Sequence, residues 1–356
     1  MAFVDAGRAL QQQLSLWADY TKRQPALDAI LTASKMNNYI NTDLANQMKF
    51  TGKKRNVIVT SYLPQCDAVA DDCSDSLCDG GNTIQPEKSE FSIGKCISTR
   101  NYELDPDNVR LIDGNIGFSD NAVMQVLSLL SDLRRKLAKA VVADLVANVG
   151  THNDGSASKQ ISFTDPSDAA LRPLGLWEIQ KEFEDIGLEN PFIVGGADVF
   201  TWLQAVRYGG LNQQGIQTGQ LPTSNMYYDA LVDNAFADKT KGHVIAFDPR
   251  MVKFISYNKN AGIFATTPYD SIRDLDALYR TAGNSIKGTY QDPVTGLLFD
   301  LNVLRVDCPD EKFVFNIRLE WDLWYPPNFF CADDAGVNGI FAYDTCKTVP
   351  AACPTT

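Results

Sequence analysis

The longest run of regular hydrophobic spacing is SDNAVMQVLSLLSDLRRKLAKAVVADLVANV, residues 119–149. Val123, Val126, Leu127, Leu130, Leu133, Leu137, Val141, Leu145 and Val149 recur every three or four positions, which gathers apolar side chains on one face of a helix. Ser119 and Asp120 carry N-cap oxygens, and Gly150 stands where a left-handed residue commonly closes a helix. The pattern predicts one helix of about 30 residues, roughly 45 Å long.

Shorter helical periods lie at 175–188, 197–208 and 271–280. Near the start, 9–20 and 26–36 are helical patches separated by Pro25, and residues 1–55 read as an arm of short helices. Strand signals occur at 56–63, 91–98, 191–195, 227–232, 243–247, 252–257 and 288–305. The clearest alternation is at 312–325: Phe313, Phe315, Ile317, Leu319, Trp321, Leu323 and Tyr325 share one face, while Asn316, Arg318, Glu320 and Asp322 take the other. Such a strand needs a cover, and the long helix is the best candidate. Helices and strands alternate over 165–280, as in a compact α/β or α+β unit.

Two stretches break the pattern. QCDAVADDCSDSLCDGGNT holds Asp67, Asp71, Asp72, Asp75 and Asp79 with no basic residue, and reads as a protruding loop between strands. Its aspartates do not have EF-hand spacing. The residues after Pro326 and Pro327 are small, polar and cysteine-bearing, and read as a surface tail.

Composition narrows the class. Hydrophobic content of 44% and charged content of 21% suit a globular protein, no run of about 18 apolar residues predicts a membrane span, and the start lacks the layout of a secretion signal. The net charge of −12 argues against a dedicated nucleic-acid reader. It is uneven, however: residues 1–55 hold eight basic and four acidic residues, a surplus of four positive charges, so the remainder carries −16. Lys22, Arg23, Lys49, Lys53, Lys54 and Arg55 concentrate that surplus, and could lie toward nucleic acid while the acidic body faces away.

Eight cysteines form two groups, Cys66, Cys73, Cys78 and Cys96, then Cys308, Cys331, Cys346 and Cys353. The first group has spacing C-x6-C-x4-C-x17-C, unlike paired C-x2-C zinc knuckles, and no histidine is near either group. Free thiols, disulfides and a metal site all remain open. Catalytic signatures are missing: no phosphate-cradling glycine loop, no HExxH and no G-x-S-x-G elbow. His152 and His243 are the only imidazoles and read as structural or solvated; Glu182 and Asp185 read as ordinary surface charge; Trp321, Trp324 and Tyr325 read as core. The chain is not expected to be an enzyme, and no cofactor is expected.

In order, the parts are a basic arm, a strand-loop-strand excursion, one long helix, a compact α/β unit and returning strands. This organisation resembles the major capsid proteins of tailed bacteriophages, the Hong Kong 97-type α+β shell fold. The resemblance implies an N-terminal arm at 1–55, an E-loop region at 56–104 with a Cys- and Asp-rich insertion, and a peripheral domain at 105–164 with its spine helix at 119–149. It further implies an axial α/β domain at 165–285, peripheral strands at 286–327 and a C-terminal tail at 328–356. The implied function is structural: pentamers and hexamers closing an icosahedral shell around double-stranded DNA, assembled in the host cytoplasm and located in the virion. Implied partners are other copies of the chain, a portal, a separate scaffolding protein and, without sequence reading, the genome on the basic arm; no membrane is implied. Disulfides within each cysteine group, or between Cys66, Cys73 or Cys78 of one subunit and Cys331, Cys346 or Cys353 of a neighbour, are a further expectation. Two other readings stand beside this one: a metal-binding protein or enzyme using Cys66 to Cys96, and a cellular encapsulating shell of the same fold.

Overall fold

The computed structural model describes residues 23–37, 40–41, 49–51, 54–61, 87–104, 109–112, 115–118, 120–161, 174–188, 191–201, 225–258, 285–292, 294–306, 312–326 and 338–345. The predicted helix at 271–280 and the acidic loop lie outside them.

The long helix, α2, spans Asp120–Ala147. Val126, Leu127, Leu130, Leu133, Leu137, Val141 and Leu145 are buried, as the spacing predicts, and Ala138 and Val142 widen the stripe. Gly150 does not close the helix in a left-handed conformation. Instead the last turn tightens, Asn148 and Val149 donating to the carbonyls three residues back, and the Gly150 amide pairs with the Ile340 carbonyl at 2.9 Å.

The other early helix, α1 at Pro25–Met36, is set deep in the molecule. Ala26, Leu27, Ala29, Ile30 and Ala33 are all fully buried. Its small residues permit close packing on several sides, so this part of the expected arm belongs to the main core. Pro25 begins the helix, where a missing N–H costs nothing. Asp229 caps two helices with one carboxylate: it accepts from Ala26 N at 3.1 Å, and from Leu231 N at 3.0 Å. The latter bond starts a short helix at Ala230–Ala235, where strand had been expected through 232; only Met226–Tyr228 is extended. At the other end of α1, the Lys253 ammonium donates to the Ser34 and Asn37 carbonyls at 2.8 and 3.2 Å.

A short antiparallel ribbon of β7 (Val109–Ile112) and β8 (Asn115–Phe118) precedes α2, and three larger sheets concern the rest. The first is the excursion: β1 (Ile40–Asn41), β2 (Lys49–Thr51), β3 (Lys54–Ser61) and β4 (Glu87–Ile93), with β3 central and antiparallel to the other three. Its long strand starts at Lys54, two residues before the expected Asn56. The second sheet is built on β16 (Lys312–Trp324). β15 (Leu298–Val306) and β13 (Lys253–Tyr257) share one edge of β16, while β5 (Lys95–Ser98) and β6 (Tyr102–Leu104) share the other. β14 (Ser285–Gln291) completes it beyond β15. Ile317, Leu319, Trp321 and Leu323 face one core cluster with α1 and α2, confirming the expected cover. The opposite face is not a solvent face: Glu320 and Asp322 are buried, and Ile255, Tyr257 and Trp324 pack there with Val59 and Ile93 of the excursion.

The third sheet runs β11 (Met226–Tyr228), β10 (Phe192–Gly195), β12 (Gly242–Phe247), β17 (Ile340–Thr345), β9 (Lys159–Ile161). β17 lies in the region read as a surface tail, yet it is an interior strand, with Ile340, Phe341, Ala342 and Tyr343 buried. Pairing satisfies its backbone on both sides, and a run of four apolar residues suits a strand covered on both faces. Gly339 leads in at φ +67°, and a Cβ there would come within 2.9 Å of Met251 and Leu188 side-chain atoms. Helix Leu174–Asp185, α3, covers part of this sheet and ends as predicted at a glycine. Gly187 is left-handed, with amides 187 and 188 returning to carbonyls 184 and 183.

Candidate functional site

The junction between the excursion and the body is the first place where chemistry and architecture meet. β4 ends at Ile93 in the excursion sheet and β5 begins at Lys95 in the body, so the single residue Gly94 joins two sheets. Its amide donates to Asp322 Oδ2 at 3.1 Å. Lys95 then reaches two carboxylates from one ammonium, Asp144 on α2 and Asp322 on β16, each at 2.7 Å, and passes 5.3 Å from the centre of the Trp321 ring. Partial burial opposes its charge, but the two carboxylates outweigh burial and leave its pKa raised. The junction therefore ties helix, sheet and excursion through one side chain.

The residues singled out from sequence are distributed as follows. Cys96 is a free, exposed thiol on β5, opposite Glu320. Cys66, Cys73, Cys78, Cys308, Cys331, Cys346 and Cys353 lie outside the described residues. Arg23 is exposed ahead of α1. Lys49, Lys54 and Arg55 fall on the β2–β3 hairpin, where Lys49 pairs with Asn56 and Lys54 with Thr51; Lys22 and Lys53 lie outside. The hairpin thus brings together three of the six basic residues. Among the described residues, no group of three or more His, Cys, Asp or Glu could hold a metal ion, and no helix is long and apolar enough to cross a membrane.

Two charged sites were not anticipated. Glu182 is not surface charge but is buried at 5% exposure, accepting from Lys159 Nζ at 2.7 Å, Tyr343 Oη at 2.8 Å and His152 Nδ1 at 3.1 Å. Burial pushes this carboxyl up, but these donors prevail and hold it at about 2. The same burial and the neighbouring carboxylate push the Tyr343 hydroxyl well above its ordinary range. Asn153, Asp154, Lys159, Lys181 and Tyr343 share with Glu182 the wall of an open cleft of about 470 Å³. The second site is Arg134 on the apolar stripe of α2. It is 1% exposed and meets the fully buried Asp292 through Nε at 2.9 Å and Nη2 at 2.5 Å. Asp292 also takes the Thr295 amide at 3.2 Å and hydroxyl at 2.6 Å. A sequence signal existed for both: Glu182 follows Ile179 by three residues, and Arg134 follows Leu130 by four, so each falls on a buried stripe.

Apart from Arg134 Nη1, which is buried without a partner, these polar groups bond one another across elements and hold those elements in place. No family model and no curated protein matches the sequence. Among solved structures, the chain is similar to one from Mycobacterium phage Bobi, at 10% identity and TM-score 0.39, covering 92% of each chain. It is also similar to the capsid of a native GTA particle, at 13% identity and TM-score 0.39, covering 89% of this chain and 91% of that one. A third is the cyanophage Pam1 capsid, at 11% identity and TM-score 0.37, covering 84% and 86%. Superpositions this loose carry no functional argument by themselves.

Proposed function

We propose that the chain is a non-enzymatic structural subunit, a major capsid protein of the tailed-phage kind. The observation that carries this reading is the excursion. A four-stranded sheet joins the body through Gly94, with Val59, Phe91 and Ile93 seated on Ile255, Tyr257 and Trp324. In a tiled shell such an excursion overlaps a neighbouring copy, and each overlap strengthens the rest because later contacts form within an existing assembly.

In this reading α2 is the spine of a peripheral domain, and copies close as pentamers and hexamers into an icosahedral shell. Lys22, Arg23, Lys49, Lys53, Lys54 and Arg55 face double-stranded DNA and neutralise phosphate without reading sequence. Assembly takes place in the host cytoplasm with a portal and a separate scaffolding protein, and the subunit ends in the virion.

Light scattering of the purified chain, followed by negative-stain microscopy of large species, tests the proposal. Rings of five or six, tubes or closed shells are expected. A stable monomer holding stoichiometric zinc or calcium overturns it and directs attention to Cys66 to Cys96. Shells loaded in the native source with protein and no DNA overturn the genome-enclosing part.

A further inference from the structure

Arg135, Lys136 and Lys139 are exposed within little more than one turn of α2, on the side away from its buried stripe. Lys139 lies three residues from Lys136 and four from Arg135, so like charges are neighbours, an arrangement that costs a helix stability. One acid, Asp132, is exposed beside them; Asp144, the next toward the C-terminus of the helix, is taken by Lys95. Among the described residues no hydrogen bond or ion pair engages the three side chains. Most other described cations of the body are engaged: Lys95, Lys159, Lys241, Arg250 and Arg318 by carboxylates, Lys253 by carbonyls. A chain of net charge −12 thus keeps an unneutralised cationic patch on its longest helix.

Such a patch fits a polyanion, and its surroundings decide which kind. Stable contacts between proteins centre on aromatic or aliphatic anchors and are poor in lysine. Here the exposed neighbours beyond the cations are Ala140, Ala143 and Ala147, and the exposed Met124 lies about 16 Å away along the helix axis. Duplex DNA needs no apolar anchor. It presents one charge per about 1.7 Å of its axis, so one helical turn of cations meets several phosphates at once. The alanines let the duplex come close, and their side chains make no hydrogen bond to a base edge.

We propose that Arg135, Lys136 and Lys139 form a docking surface for the phosphates of duplex DNA, separate from the basic arm and indifferent to sequence. The identity of the anion rests on the capsid reading; the charge of the surface does not. Because α2 is packed into the main core through its other face, the surface is already ordered before DNA arrives.

Fluorescence anisotropy of a short labelled duplex of mixed sequence, titrated with the full chain below its assembly concentration, reads binding against salt. In Arg135→Gln/Lys136→Gln/Lys139→Gln the slope of log K against log salt should become shallower by about 2.7, and in each single variant by about 0.9. Glutamine keeps the helix propensity at these exposed positions, and Lys136→Arg/Lys139→Arg, which keeps the charge, should retain the wild-type slope. A triple variant with the wild-type slope overturns the proposal, as does a wild-type chain that binds no duplex at the lowest salt. Polyaspartate of matched charge that binds as tightly, and loses as much in the triple variant, assigns the surface to an acidic protein segment and also overturns it. Microscopy scores assembly separately: shells with an unchanged slope sink this inference alone, and a lost slope in a chain that never assembles sinks the capsid reading alone.

Discussion

A guanidinium at position 134 stands where the helical period favours an aliphatic side chain, and Asp292 makes it tolerable by presenting both carboxylate oxygens. Removing one partner strands the other charge in the core. Arg134→Met should therefore cost about 3–5 kcal/mol in denaturant unfolding, while adding Asp292→Asn should recover part of the loss. Glu182 gives the opposite test, through acid. Its carboxyl drops from an ordinary 4.5 to about 2, so its contribution is complete above 4.5 and is lost as pH falls through about 2. Glu182→Gln should flatten the stability profile across that window, and an unchanged acid limb would remove Glu182 from the account. Spacing places both residues on buried stripes, but it does not name their partners. Asp292 is distant in sequence and His152 sits in a loop with no period, so only tertiary packing brings them in.

At the scale of elements, α2 and β16 were readable because each carries many repeats of one period, 28 and 13 residues long. β17 was not: six residues flanked by polar and small ones offer too few repeats to stand out from a tail. The second face of β16 misled for a different reason, since Glu320 and Asp322 look solvated by type while Arg318 and Lys95 bind them under the excursion. That gives Lys95 a mechanical role that its type does not advertise. Lys95→Met should loosen the excursion against the body, seen as faster amide exchange over 54–61 and 87–93. Because the ammonium is 39% exposed, the cost in global stability should be about 1 kcal/mol or less. Unchanged exchange there would show that the Val59 and Ile93 patch alone seats the sheet.

At the scale of the whole molecule, neither the β16 sheet nor the β17 sheet is drawn from one contiguous segment. The β17 sheet takes strands on both sides of the boundaries at 164 and 327, and the β16 sheet takes β5 and β6 from the excursion side of α2. The cysteines belong to this scale too. If subunits of the proposed shell are linked by disulfides after release into an oxidising medium, intact particles should run as multimers on non-reducing gels and collapse to monomer with thiol. Monomer bands alone would discard the cross-link between subunits.

The place of β17 also has a consequence in time. Its register partner on β12, residues 242–247, is synthesised about a hundred residues earlier. Until the last of β17 leaves the ribosome, the β12 edge and the apolar layer beneath it have no mate, and a nascent chain in that condition is a target for chaperones and for pairing with the wrong chain. The sheet is thus completed only once residues 340–345 have been made, and a ribosome that stops before residue 340 yields a divided sheet rather than a shortened tail.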